Sequence, residues 1–214
     1  GRDPSAAERD RLADAVDDVV DGTTAAAEFV VSSAGDAGIR VRQLQRILRS
    51  IDGTLAIFTH DNPDPDAIAS AVALARIAEA AGCETEICYY GAISHQENRA
   101  FVNLLEYELQ QLESGTVPDA MDGVALVDHS RPGVNDGLPR DTAVDVVIDH
   151  HPPRVPVEAR FVDLRSDVGA TSTLLVEYLD SLGLPLRTDV ATGLLFGIRV
   201  DTNDFRREVS PTDF

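Results

Sequence analysis

Apolar residues fall along this chain in short runs, separated by stretches where they recur at helical spacing. Leu55-Ala56-Ile57-Phe58, Val124-Ala125-Leu126-Val127 and, with Asp145 as its single break, Val144 to Ile148 are compact and rich in aliphatic side chains. Runs of this kind read as strands buried on both faces, the signature of a parallel sheet covered on each side. Between and after them the pattern predicts helices over 66–81 (closed by Gly82), 95–106, 171–182 and 188–200, with further strands at 84–90 and 160–164. The two later buried runs extend to strands over 124–128 and 144–149, the first to 55–59. This succession predicts an α/β fold, a mostly parallel sheet sandwiched by helices. Ahead of it, residues 1–50 read as an N-terminal helical extension: an amphipathic helix over 3–31, a Ser/Gly break at 32–38 and a second helix over 41–50. Arg42, Arg46 and Arg49 on that second helix are expected to pair with surrounding acids.

Charge changes the picture of the surface. The 214 residues hold 18 Lys+Arg, all of them arginine, against 37 Asp+Glu, for a formal net charge of -19. In dilute buffer such a surface repels itself, whereas at molar salt the screening length falls to roughly 3 Å. An acid-rich, lysine-free surface is therefore the expected surface of a halophilic, cytoplasmic protein. Cys83 and Cys88 lack a CxxC spacing and are expected as reduced packing residues. No apolar stretch approaches the roughly 18 residues that a membrane helix needs, and no apolar signal segment opens the chain, so no membrane partner is expected.

The chemistry gathers where strands end. Four of the five histidines lie beside an aspartate at the close of an apolar run: His60, His129, His150 and His151. Ligands of open α/β sheets bind beyond the carboxyl ends of the strands, so these residues are aimed at one crevice. The segment His60-Asp61-Asn62-Pro63-Asp64-Pro65-Asp66 places three potential ligands on a proline-stiffened turn, although an acidic turn with Asp66 as a helix cap is the competing reading. Asp128 ends the run at Val127, Asp149-His150-His151 ends the next, and Asp201 closes a helix.

In this order and spacing the motifs resemble the DHH phosphoesterases, which include RecJ-like nucleases, oligoribonuclease and pAp phosphatases and, more distantly, family II pyrophosphatases and exopolyphosphatases. The resemblance covers residues 52 to the end, making 51–214 the catalytic domain. It implies two divalent metal ions, Mn²⁺ with Mg²⁺ as the alternative: His60, Asp64, Asp128 and Asp201 around one, Asp66, Asp128, His150 and Asp201 around the other. His151 is implied to face the substrate as a catalytic proton donor, with Asp149 behind it orienting an imidazole; His129 has no assigned role and is expected on the opposite face. Two such ions support in-line displacement at phosphorus without a protein nucleophile. Gly169 to Thr173 resembles a helix opening whose free N–H groups could meet phosphate, with a plain N-cap as the equal alternative.

Two departures stand out. Asp201-Thr202 is followed by Asn203 where the family commonly has glycine, and no Gly-Gly dipeptide occurs, so a C-terminal substrate-binding domain is expected to be absent from this chain. The implied activity is hydrolysis of phosphodiester or phosphomonoester bonds in short single-stranded oligonucleotides or small nucleotides. The alternatives are an inorganic pyrophosphatase or exopolyphosphatase, and a non-catalytic regulatory module of the same fold.

Overall fold

A computed structural model describes residue 35 and residues 37–214. The helix expected over 3–31 lies outside the described residues. Residues 37–48 form a helix, α1, followed by a turn. The remaining elements run β1 (Thr54–Phe58), α2 (Pro65–Ala81), β2 (Glu84–Tyr89), α3 (Gln96–Leu104), β3 (Gln110–Gln111), β4 (Gly123–Val127), β5 (Val146–Asp149), β6 (Phe161–Leu164), α4 (Thr171–Ser181) and α5 (Thr188–Asp201). A short 3₁₀ turn, Pro211–Asp213, follows them.

Six strands make one sheet in the order β3-β2-β1-β4-β5-β6, and every pairing is parallel. Side chains alternate across it as strand geometry requires. Leu55, Ile57, Ala125, Val127, Val146 and Ile148 share one core with Ile68, Leu74, Phe101, Leu174 and Leu194 from the helices. Ala56, Phe58, Val124, Leu126 and Val147 face the other way, against Tyr90, Leu138 and Val144. Both faces are thus dry, which is why the strands read as continuous apolar runs. Among the described residues, the helices pack on the first face and the long connections close the second.

Several boundaries differ from the sequence pattern. Val144 is buried but precedes β5, and β3, a two-residue polar edge strand, carries no apolar signal. Helix α3 ends at Leu104 rather than residue 106, where Glu106 takes φ 54° and cannot continue a helix. The compact unit that holds the sheet runs from Arg40 to Phe214 and so takes in most of α1, whose Val41, Leu44, Ile47 and Leu48 enter the core. Arg42, Arg46 and Arg49 form no ion pair among the described residues. Cys83 and Cys88 are free and buried, and no described helix is long and apolar enough to cross a membrane.

Candidate metal centre

The connections that leave β1 and β4 cover opposite faces of the sheet, so a crevice opens between the carboxyl ends of these two neighbours. Every candidate ligand is delivered there by the end of an element. His60 follows β1 and Asp128 follows β4 directly. Asp149 is the last residue of β5, with His150 and His151 after it, and Asp201 is the last residue of α5. Asp64, not Asp66, caps α2: its carboxylate accepts from the Ala67 N–H at 3.0 Å, and Pro65 occupies the first turn where its missing N–H costs nothing. Asp66 is therefore freed for other partners.

Asp128 stands at the middle. Its backbone is left-handed, φ 61°, a conformation that L-residues other than glycine adopt at some cost. That twist breaks the strand and turns the carboxylate back into the crevice, where it is buried. Oδ1 accepts from the Thr171 hydroxyl at 2.8 Å and lies 3.6 Å from His150 Nε2, while Oδ2 lies 3.4 Å from His60 Nε2. His60 Nδ1 meets the Asp61 carbonyl at 2.9 Å, which places the ring proton there and leaves Nε2 toward Asp64 and Asp128. His150 repeats the arrangement, with Nδ1 3.4 Å from the Val168 carbonyl and Nε2 3.3 Å from Asp201 Oδ2.

Three sets of side chains bring donor atoms within 4.8 Å of one another: His60 with Asp64 and Asp128; Asp66 with Asp128, His150 and Asp201; and Asp128 with His150 and His151. Asp128 belongs to all three. Asp201 joins only the set that contains Asp66, and its carboxylate is not gathered with His60 and Asp64. The Nε2 of His150 is buried without a hydrogen-bond partner. An orphaned imidazole nitrogen among carboxylates is what a divalent cation would satisfy, and mixed carboxylate and imidazole donors suit Mn²⁺ or Zn²⁺ more than Mg²⁺.

Protonation follows from this crowding. Burial alone would lower the pKa of His60, but the carboxylates of Asp128 and Asp64 outweigh it and lift the ring to about 11. His150 behaves alike: burial opposes its charge, while Asp201, Asp128 and Asp66 raise it to about 9. Asp66 is pushed well above the usual carboxylate range, first by burial and then by Asp128, Asp201 and Asp64. Protonated imidazoles thus offset buried carboxylate charge in a cluster whose donor set would also suit a divalent cation.

Of the two readings of the α4 opening, free donors for phosphate are not what the structure has. The Thr171 and Ser172 N–H groups donate to Asp66 at 2.7 and 2.8 Å, and the Gly169 N–H donates to Asp213. Positive helix-end dipoles are instead spent on steadying a buried carboxylate of the centre. Asp149 accepts from His151 at Nδ1, 2.8 Å, and from its backbone N–H, 3.0 Å. That contact raises the pKa of His151, whose side chain is 57% exposed and so open to a ligand.

Three participants were not singled out by their local sequence: Thr171, Asp136 and Asp213. His129, also without a role in the motifs, is buried and stays out of the centre. Its Nδ1 meets the Val127 carbonyl and its Nε2 meets Asp136, each at 2.9 Å, and Asp136 also receives the Gly133 and Leu138 N–H groups. It ties down the loop after β4. Asn203 takes φ 48°, a left-handed conformation that asparagine tolerates better than most residues other than glycine.

Residues 54–198 match the DHH family, N-terminal domain. An uncharacterized protein of Methanocaldococcus jannaschii is 39% identical over 82% of this chain and 36% of its own length. A bifunctional oligoribonuclease and PAP phosphatase of Thermus thermophilus is 31% identical over 78% of this chain and 49% of its own length. A Bacillus cereus protein described as a probable manganese-dependent inorganic pyrophosphatase is 32% identical over 73% of this chain and 49% of its own. The chain thus spans about half or less of each of these relatives. A crevice at the β1/β4 switch point, its converging histidines and aspartates, and the match over most of the sheet lead to one conclusion: this chain belongs to the DHH family and carries its N-terminal domain.

Proposed function

We propose that this chain is the metal-binding catalytic domain of a phosphoesterase that hydrolyses phosphodiester or phosphomonoester bonds of short oligonucleotides or small nucleotides. The observation that carries the reading is the orphaned, buried His150 Nε2 among Asp66, Asp128 and Asp201. His60, Asp64 and Asp128 would hold one divalent ion, and Asp66, Asp128, His150 and Asp201 the second, with Asp128 shared. With Mn²⁺ in both positions, these residues would hold ions able to lower the pKa of water and to offset charge on phosphoryl oxygens. The protein's own side chains do the rest. Asp149 holds Nδ1 of His151, which leaves Nε2 as the atom that reaches the substrate and gives a proton to the departing oxygen as its bond to phosphorus breaks.

Pyrophosphate hydrolysis is the second reading, favoured by the 32% identity to the Bacillus cereus relative. Mn²⁺-loaded protein offered a dinucleotide, adenosine 3′,5′-bisphosphate and pyrophosphate separates the two. Turnover of the nucleotides above pyrophosphate is the expected result. Preference for pyrophosphate reverses the choice, and no metal uptake at saturating Mn²⁺ returns the non-catalytic module. We infer also that the acid excess and missing lysine adapt the surface to molar salt; a melting temperature that does not rise with KCl removes that inference.

A further inference from the structure

We infer that Arg131, Arg154 and Arg207 form a clamp at the mouth of the cleft that grips a second phosphate of the substrate, apart from the one at the metals. The inference rests on the phosphoesterase reading and adds where the rest of the substrate is held. All three arginines line the open cleft of about 1360 Å³ whose floor is the His/Asp cluster. That volume exceeds the roughly 300–1,000 Å³ typical of small-ligand sites, and far exceeds the need of one phosphoryl group. Each arginine follows a ligand-bearing element closely: Arg131 comes after Asp128, Arg154 after His151, and Arg207 after Asp201. The topology that converges the ligands therefore also converges the cations, one layer farther out.

Freedom from ion pairs is shared by Arg42, Arg46 and Arg49 among the described residues, but Arg131, Arg154 and Arg207 stand free where carboxylates line the same cleft. Arg40, Arg76, Arg160, Arg165, Arg187 and Arg199 all pair with carboxylates. Arg131, Arg154 and Arg207 pair with none among the described residues, although the floor of the same cleft is rich in them. Balancing the carboxylates of the centre is therefore not their role. A guanidinium kept out of ion pairs beside a phosphate-processing floor is suited to a bidentate grip on phosphate oxygens.

The loop that carries Arg131 is also built to stay in place. Buried Asp136 accepts from Gly133 at 2.7 Å, Leu138 at 2.8 Å and His129 at 2.9 Å. On the far side the Asn135 carbonyl receives the Asp61 N–H, at 2.5 Å, from the turn that bears His60 and Asp64. The backbone of the loop that follows Arg131 is thus tied to the turn after β1, which limits the loop ordering that a ligand would have to supply.

The second phosphate can stand across a nucleoside or farther along a polyphosphate chain. Dissociation constants on Mn²⁺-saturated protein, measured by calorimetry in short incubations, distinguish the two. One arm compares adenosine 3′,5′-bisphosphate with adenosine 5′-monophosphate, and the other compares tripolyphosphate with inorganic phosphate. The wild-type protein is expected to prefer the more highly phosphorylated member at least tenfold in one arm, and that arm names the source. The triple variant Arg131→Ala, Arg154→Ala, Arg207→Ala is expected to lose at least tenfold of this ratio, while Arg131→Lys alone retains part of it. Absence of the preference in the wild type, or a smaller loss in the variant, overturns the clamp. If the wild type takes up no Mn²⁺, the phosphoesterase reading falls and the clamp with it; if Mn²⁺ binds and the ratios do not move, the clamp alone falls.

Discussion

Thr171 donates its hydroxyl proton to Oδ1 of Asp128 across 2.8 Å, joining the first turn of α4 to the end of β4. The same residue gives its backbone N–H to Asp66 at 2.7 Å. One threonine therefore positions two carboxylates of the centre, and neither contact is visible in the spacing of the motifs. A buried Asp128 held in a left-handed conformation needs such a partner to keep its orientation.

Asp128 and Asp201 are expected to differ in what their loss removes. Asp128 is common to every ligand set, whereas Asp201 belongs to one. Calorimetric titration should find no Mn²⁺ bound to Asp128→Ala and one ion retained by Asp201→Ala. Both variants should lose more than tenfold in kcat, a barrier increase above about 1.4 kcal/mol. Full stoichiometry in Asp128→Ala would falsify the shared-ligand assignment.

His151→Ala should leave Mn²⁺ stoichiometry at the wild-type value and lower turnover by roughly 10²-fold or more, the usual scale for a lost general acid. Asp149→Asn should act in the same direction through His151, because the 2.8 Å contact at Nδ1 sets which nitrogen faces outward. Loss of an ion in His151→Ala would instead place that imidazole among the ligands.

Metal-free protein should become less stable as pH rises. His150 holds its proton in the folded state up to about 9, against 6.5 for the unfolded chain, so folding takes up protons in this window. The stabilisation is complete below pH 6.5 and fades as pH climbs through the folded value, and His60 extends the trend to about 11. Melting curves with chelator should shift down by several degrees from pH 6.5 to 9. Saturating Mn²⁺ should flatten or reverse the slope, because cations then replace the protons. A chelated protein whose melting temperature rises over this range would contradict the arrangement.

Gly197→Ala tests the fit of α5 against the centre. A Cβ at this position would come 2.6 Å from Ser172 Oγ and 2.9 Å from the Asp66 Cα, and backbone cannot swing aside as a side-chain tip can. The expected result is a loss of about 1–3 kcal/mol, typical of overpacking, together with weaker Mn²⁺ binding at the Asp66 set. An unchanged melt and unchanged affinity would mean that α5 sits farther from α2 than the structure places it.

Short-range physics made several features legible along the chain. Aliphatic runs such as Val124 to Val127 and Val146 to Ile148 can only be buried on both faces, and an aspartate or histidine at the end of such a run must emerge at the strand's carboxyl edge. The parallel sheet and the residue types at its crevice were legible for that reason. A polar edge strand like Gln110–Gln111 was not, because nothing in its composition distinguishes it from a loop.

The grouping of the candidate ligands depends on packing between distant segments, and the reason is distance along the chain. Asp66 is held by N–H groups 105 and 106 positions away, and Asp128 by a hydroxyl 43 positions away. Residues Gly169 to Thr173 read locally as an anion-binding helix opening, yet packing had already delivered Asp66 and Asp213 to its donors. His129 shares its neighbour's motif but points into a buried contact with Asp136, since the twist at Asp128 sends successive side chains in different directions. Periodicity reports which residues are buried and where an element stops. It does not report which buried groups from different elements meet, and in this domain those meetings are what gather Asp201 with Asp66 rather than with His60 and Asp64.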